Sequence, residues 1–525
     1  YKKGGYVSFI HHSDQQGFNK DEYKAWEYVV EYIMNAGIQH DFSINTGDVT
    51  QNGNRMNEWL DYYSSGEKLF NHSECMHTVG NNDLSPADNT KLGDGGDDSK
   101  INPKNFDIFF CHDLNREEQE LLTIVMKNGT YRLIPSNYSF DYANCHFICI
   151  NSELPKEAIM RLFNENADDY LGVPKDQIPN YDTLKEQYSS AVAWRIERWL
   201  DKDCMQITKY NNGKAKEEQK WIIAYCHEMP FTILTHAITI KHQPDRLNVK
   251  SSSIAGCRIN GINSNGKYYW LSRLFERYHI PLILGGHKHT YAVSGHIKEN
   301  IIVNPDGTED YSKTYKPIIQ LKRSELATVY GSENSIDKLK TLWYNAGKAM
   351  NGVGYETAFE NNICDFNDIE IIDDVSDETA DYSAPVYAMQ TAAGYKLISN
   401  KELPAVVLPW LTVPAKDKLR TMYFPATTKP AVNKDQLYPY FTAYKFNNEE
   451  IVGTPIRMSK TDSAVTTEIY YKGNTKSKGT YNLINKSYTL EEISKWKPDI
   501  ANGMISENAD DKLQQHLIKI TNKPF

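Results

Sequence analysis

Five short apolar runs in this chain each stop at a polar residue able to hold a cation, and that repeated pattern constrains the fold more than any bulk property. Val7–Ile10 leads to Asp14, Phe42–Ile44 to Gly47-Asp48, and Met76–Val79 to Gly80-Asn81-Asn82-Asp83. Trp221–Cys226 leads to His227, and Ile280–Leu284 to Gly285-Gly286-His287-Lys288-His289. Apolar runs of this length read as buried strands. Groups placed just past several strand ends converge on one edge of a sheet, where open α/β folds build their sites. Asp, Asn and His together offer oxygen and imidazole donors that suit first-row transition metals. The pattern therefore predicts a site for two metal ions.

Between the runs the periodicity becomes helical. Asn19 is placed to cap a helix, Glu22 to complete a capping box, and Gly37 to close it. Trp26, Val29, Val30 and Ile33 recur at i, i+3, i+4 and i+7, a stripe that packs on a sheet. A second helix is expected from about Met56 to Phe70, so strands and helices alternate as far as Asn81, the rhythm of a layered α/β domain. Further helices are expected near Tyr188–Leu200, Tyr268–Tyr278 and Ile336–Ala346. Two hairpins are expected: Tyr138–Tyr142 with Cys145–Ile150 around Ala143-Asn144, and Phe441–Phe446 with Ile451–Met458 around Asn447-Asn448. Residues 85–135 interrupt the rhythm. Within them Gly93–Asp98 lacks the spacing of an EF-hand and reads as a solvated loop. The acidic tract from Asp365 to Asp381 reads as a solvated face.

Composition excludes some functions and leaves others open. With 525 residues the chain has the length of several domains, or of one heavily elaborated one. Its 68 acidic residues against 58 Lys and Arg give a formal charge of −10, which argues against a general grip on nucleic acid. No apolar stretch approaches the roughly 18 residues of a membrane helix, so no membrane span is expected. The 8 cysteines show no metal-ribbon spacing, and Cys145, Cys149 and Cys226 lie in strand-like runs that predict buried free thiols. They do not settle the compartment. The chain begins at Tyr1 without methionine, from which we expect that a leader or a preceding domain has been removed. The Asn-X-Ser/Thr triplets at Asn71, Asn128, Asn137 and Asn485 read as chance matches.

Taken in order, the motifs Asp14-Gln15-Gln16, Gly47-Asp48, Gly80-Asn81-Asn82-Asp83, His227 and Gly286-His287-Lys288-His289 resemble those of the calcineurin-like metallophosphoesterases, in the style of the purple acid phosphatases. The similarity runs, with interruptions, from about residue 5 to 460. It implies a four-layer αββα sandwich and hydrolysis of a phosphate ester, a diester or activated monoester, by a hydroxide held between two divalent or transition-metal ions (Mn, Fe or Zn). It also implies a site in which Asn81, His227, His287 and the bridging Asp48 hold one ion, and Asp14, Gln16, Asp48 and His289 the other. Asp48, Asn82, Asp83 and His287 would be the catalytic set. The implied organisation is a core over 1–300 with the inserted loop 85–135, an insertion over 301–383, final core strands over 384–460 and an extension over 461–525.

Two departures from the family pattern bear on activity. Gln16 and Gln51 stand where relatives have a histidine or a tyrosine ligand, and glutamine is the weaker donor for a transition metal. Asn82 stands where relatives have the histidine that assists the leaving group, and an amide transfers no proton at neutral pH. His11 and His12 lie nearby, and a structural role is the expectation for both. Two functional readings follow. One is an active phosphoesterase acting on a phosphate-containing substrate with a good leaving group. The other is a catalytically impaired module kept for binding or structure in a larger assembly, such as a bacteriophage particle. The corresponding locations are secretion or a virus particle.

Overall fold

The computed structural model describes residues 6–35, 37–84, 137–152, 198–229, 271–287, 440–448 and 450–457. It also describes 109, 123–126, 129–132, 231–234, 237–242, 261–262, 268–269, 291–298, 305, 318–322, 369–372, 385–390, 393–394, 406–408, 411–413, 464–470, 478–484 and 518–520. The expected helix Ile336–Ala346 and the loop Gly93–Asp98 lie outside these residues.

The first third of the fold alternates as its periodicity requires: β1 (Val7–His12), α1 (Lys20–Asn35), β2 (Phe42–Asn45), α2 (Met56–Phe70) and β3 (Glu74–His77). The ends of α1 are set by local chemistry. Asn19 Oδ1 accepts from the main-chain N–H of Asp21 and Glu22 at 3.0 and 3.3 Å. Glu22 departs from a capping box, since its carboxylate takes the Phe18 N–H at 2.7 Å. At the other end Gly37 adopts φ +62 and Ile38 N–H reaches back to Ile33 O, the closing bond of a Schellman motif.

Next come β4 (Tyr138–Tyr142), β5 (Cys145–Ile150), a helix α3 over 198–211, β6 (Trp221–Cys226), α4 (Leu271–Arg277), β7 (Leu282–Gly285) and β8 (Tyr291–Lys298). The chain returns with β9 (Val386–Gln390), β10 (Tyr440–Phe446) and β11 (Ile451–Arg457). Both expected hairpins form: Phe140 pairs with Phe147 in one, and Tyr444 with Gly453 in the other. Helix α4 is shorter than expected, because Tyr268–Tyr269 is a strand, and β3 begins and ends two residues earlier than its apolar run.

These strands make two mixed sheets. One has the order Ile518–Ile520, β11, β10, β1, β2, β3, and the last three run parallel. The other contains β8, β9, β7, β6, β5 and β4 in that order, with β9, β7, β6 and β5 parallel. Ile318–Lys322 and Ile369–Ile372, both from the segment 301–383, extend this sheet beyond β8, so Glu370 of the acidic tract lies in a strand. The sheets face one another across aromatic rings. Phe9 stacks on Phe42 and on Tyr444 within its own sheet, with centroids 5.4 and 4.9 Å apart, and meets Phe147 of the other sheet edge-on at 5.5 Å. On the outer side of β1, Ile10 joins Trp26, Val29, Val30 and Ile33 of α1 and Trp59 and Tyr62 of α2 in one buried cluster. Buried on both faces, β1 carries an apolar side chain on each, Phe9 between the sheets and Ile10 under α1. Helix α3 meets the second sheet through Asp203, on Ser139 and His146, and α4 through Phe275, against Tyr387, while Trp199, Cys204 and Leu274 are buried. The architecture is the four-layer α/β sandwich expected.

Cys75, Cys145, Cys149, Cys204 and Cys226 are free thiols, and burial pushes Cys149 up to about 12. No helix of the described residues is long and apolar enough to cross a membrane. Asn137 is fully buried, with Oδ1 taking the Asn151 N–H, which removes it as a glycan acceptor.

An ion cluster around the buried His146 pins the β4–β5 hairpin to α3. His146 Nδ1 lies 2.9 Å from Asp141 and Nε2 2.9 Å from Asp203, while Lys220 reaches Asp141 at 2.7 Å. Burial disfavours the imidazolium, but the two carboxylates outweigh it and raise His146 to about 9. A folded-state value above the unfolded one adds stability that is complete below the ordinary histidine range and lost as pH rises through about 9. Allowing for the half-exposed Asp141, His146→Gln is expected to cost about 1–2 kcal/mol near pH 6. The difference from wild type should shrink above pH 9 in urea unfolding, and a loss independent of pH would refute the assignment.

Candidate metal centre

The strand ends that face each other across the sandwich carry the site. β1, β2 and β3 deliver Asp14, Asp48 and Asn81 from one sheet, and β6 and β7 deliver His227 and His287 from the other. Main-chain bonds lock the turns together: Asp14 N to Gly47 O at 3.0 Å, Gln16 N to Asp48 O at 3.0 Å, and Gly286 N to His227 O at 2.8 Å. Asp14, Asp48 and His287 adopt φ of +57, +56 and +81, a left-handed backbone that costs non-glycine residues on the order of 1 kcal/mol or more each. Such strain persists where surrounding bonds enforce it.

Four side chains converge. Asp48 Oδ2 lies 3.3 Å from His227 Nε2, which lies 3.1 Å from Asn81 Oδ1, which lies 2.8 Å from His287 Nδ1. Asp48, His227 and His287 each offer a ligand atom, and these atoms lie within 4.8 Å of one another. The tautomer of His227 follows from its other nitrogen: Nδ1 faces the Thr46 carbonyl at 2.7 Å and must donate its proton there. The lone pair on Nε2 then points at two oxygen acceptors, an arrangement that repels unless a cation or a proton sits among them. The donor set is one that a divalent metal fits.

Asp14 is 1% exposed, and both its oxygens face the His287 N–H, at 3.2 and 3.1 Å. Gln16 is also buried beside this turn, while His289, the remaining expected ligand of the second ion, lies outside the described residues. The set Asp14, Gln16, Asp48 and His289 is therefore seen only in part.

Asn82 does not point away from the carboxylate. Its main-chain N–H and side-chain Nδ2 donate to Asp48 Oδ1 and Oδ2 at 2.8 and 2.7 Å, and its Oδ1 accepts from Gln51 Nε2 at 3.1 Å. Asp83 is a brace: its two oxygens accept from the N–H groups of Asp48, Gly80 and Thr50, all at 2.9 Å, and from the Thr50 hydroxyl. Burial, followed by the charge of Asp48, raises Asp83 to about 7. Burial likewise raises Asp14 to about 8, against the pull of His227. Burial would raise Asp48 too, but the neighbouring His227 dominates and holds it well below the usual carboxylate range.

Besides Thr46, three residues that support this site escaped the sequence reading. Asn45 accepts the Gly47 N–H at 2.7 Å and donates to Gln15 Oε1 at 2.8 Å and to the Tyr62 hydroxyl at 3.1 Å, tying the Asp14 and Asp48 turns to the core. Glu58 takes the main-chain N–H of Gln51 and Asn52 at 3.0 and 2.6 Å and fixes the loop after Asp48. Glu228, 3% exposed, stands 3.5 Å from His287 Nε2. A polar residue at a strand end signals such roles only weakly, because turns use the same types. His11 and His12 are buried in the core, the first on the Thr46 hydroxyl at 3.0 Å and the second on Gln15 at 2.7 Å.

No protein-family model matches this chain, and no curated protein matches its sequence. Solved structures similar to it include purple acid phosphatase PPD1 from yellow lupin (Lupinus luteus) seeds, with 9% identity and a TM-score of 0.38, covering 97% of this chain. The chain spans 58% of the length of that enzyme. GAP50, the anchor in the inner membrane complex of Plasmodium, is 10% identical with a TM-score of 0.33, covering 93% of each chain. Likeness this low leaves the fold to rest on the strand order and the site on its own distances.

Glycine is required where two turns touch. A Cβ at position 80 would lie 2.2 Å from both the main-chain N and Oδ1 of Asp48, and one at position 394 would lie 2.3 Å from the carbonyl of Asp14. Gly80→Ala is expected to destabilise the protein by about 1–3 kcal/mol in urea unfolding. Wild-type stability in that variant would contradict the packing described.

Proposed function

We propose that this chain is a metal-dependent phosphoesterase acting on a phosphate diester or an activated monoester. The observation that carries the reading is the convergence of Asp48, Asn81, His227 and His287 from two sheets onto one point. Four carboxyl groups, Asp14, Asp48, Asp83 and Glu228, are each no more than 3% exposed in the same region, where ionising them costs free energy that a cation among them would offset. Asn81, His227, His287 and Asp48 would hold one ion; Asp14, Gln16, His289 and the bridging Asp48 would hold a second, of Mn, Fe or Zn. Divalent cations supply Lewis acidity toward a phosphoryl oxygen and make bound water acidic at neutral pH. The protein's part is to fix the donors. Asp83 positions the Asp48 turn, Thr46 orients His227, and Asn82 gives amide hydrogens but no proton. Without a general acid, esters whose leaving group departs as a stable anion are the substrates that suit the site.

A second reading has its own observation. The Asn82 amide is committed to Asp48 Oδ2, the oxygen that also faces His227, so side-chain hydrogen bonding occupies a metal-facing position. That favours an impaired module with a binding or structural role in a larger assembly. Manganese titration combined with hydrolysis of bis(p-nitrophenyl) phosphate separates the two. The phosphoesterase reading expects turnover that depends on added Mn²⁺ and is abolished by Asp48→Asn. Substoichiometric metal and no turnover in the wild type would instead support the impaired module.

A further inference from the structure

His287 has an oxygen acceptor beside each ring nitrogen. Nδ1 lies 2.8 Å from Asn81 Oδ1, on the side of the four converging donors, and Nε2 faces Glu228 Oε1 at 3.5 Å, an ion-pair contact rather than a hydrogen bond. Glu228 is anchored through its main chain. Its N–H donates to the Ser152 hydroxyl at 3.0 Å, and its carbonyl accepts from Cys226 Sγ at 3.4 Å. The carboxylate is thus planted at the end of β6, one residue past His227, where β6 supplies one proposed ligand and the neighbour of another.

We infer that Glu228 is the positioning carboxylate of His287. Its negative charge stands on the Nε2 side of the ring and so favours the tautomer protonated there, whose bare Nδ1 turns toward Asp48, Asn81 and His227. Its charge makes that imidazole the more basic donor, since a carboxylate behind a ligating histidine orients the ring and strengthens it as a ligand. The two histidines consequently differ: His227 is oriented by the neutral Thr46 carbonyl at 2.7 Å, His287 by an anion. His287 needs the extra restraint, because its backbone is left-handed at φ +81 and its side chain is less buried than that of His227, 19% against 0% exposed. This inference rests on the metal-binding reading and names a further residue for it.

The test uses the full chain, the isosteric Glu228→Gln variant, calorimetric titration with Mn²⁺ and the visible absorption of bound Co²⁺. Glu228→Gln is expected to weaken one Mn²⁺ equivalent by about 10–100-fold. It should also shift the Co²⁺ bands, with the metal-free melting temperature unchanged. Glu228→Asp, which keeps the charge, should recover part of the affinity. In a His287→Gln background Glu228→Gln should make no further difference. An equal drop in both backgrounds, as from a merely structural residue, overturns the inference, and so does wild-type affinity with a wild-type Co²⁺ spectrum. A wild-type chain that binds neither ion overturns the metal reading itself, a distinct result.

Discussion

The hydrogen bond from His227 Nδ1 to the Thr46 carbonyl is the contact on which the site depends. It crosses from one sheet to the other, joining the end of β6 to the end of β2, and at 2.7 Å it leaves no room for slippage between them. The same bond places a proton on Nδ1 and aims Nε2 at Asp48 and Asn81. A structural cross-link and the orientation of a donor atom are therefore one interaction. The aromatic layer of Phe9, Phe42 and Phe147 beneath it holds the sheets at the spacing this bond needs.

Around that link the protein concentrates charge where it is costly. Asp14, Asp48, Asp83 and Glu228 are buried together, and three non-glycine backbone positions there are left-handed. Main-chain N–H groups engage oxygens of Asp14, Asp48 and Asp83. Asp83 illustrates the logic: its four donors hold the turns of Gly80, Asp48 and Thr50 in one register. A rigid, preorganised cluster of donors selects for cations and leaves little freedom for other ligands.

How much of this was legible in the sequence depends on the range of each interaction. Apolar runs stopping at Asp14, Asp48, Asn81, His227 and His287 were legible, because a strand end fixes where its next side chain stands. The capping of α1 by Asn19 and its closure at Gly37 are local and were also legible. Thr46, Asn45 and Glu228 were not, since their roles come from partners distant in sequence, as with the 181 residues between His227 and Thr46. Nor were the edge strands Ile318–Lys322 and Ile369–Ile372, because acidic residues around the second conceal its short apolar run. Asn82 was recognised as a departure by type, but that its amide would bind Asp48 depends on a turn geometry no motif encodes.

Crystals grown with Mn²⁺ and measured at a wavelength where manganese scatters anomalously give the most direct check. An anomalous peak within coordinating distance of Asp48 Oδ2, Asn81 Oδ1, His227 Nε2 and His287 Nδ1 is the expected result. Crystals saturated with the ion that show no peak among those four atoms would contradict the metal centre.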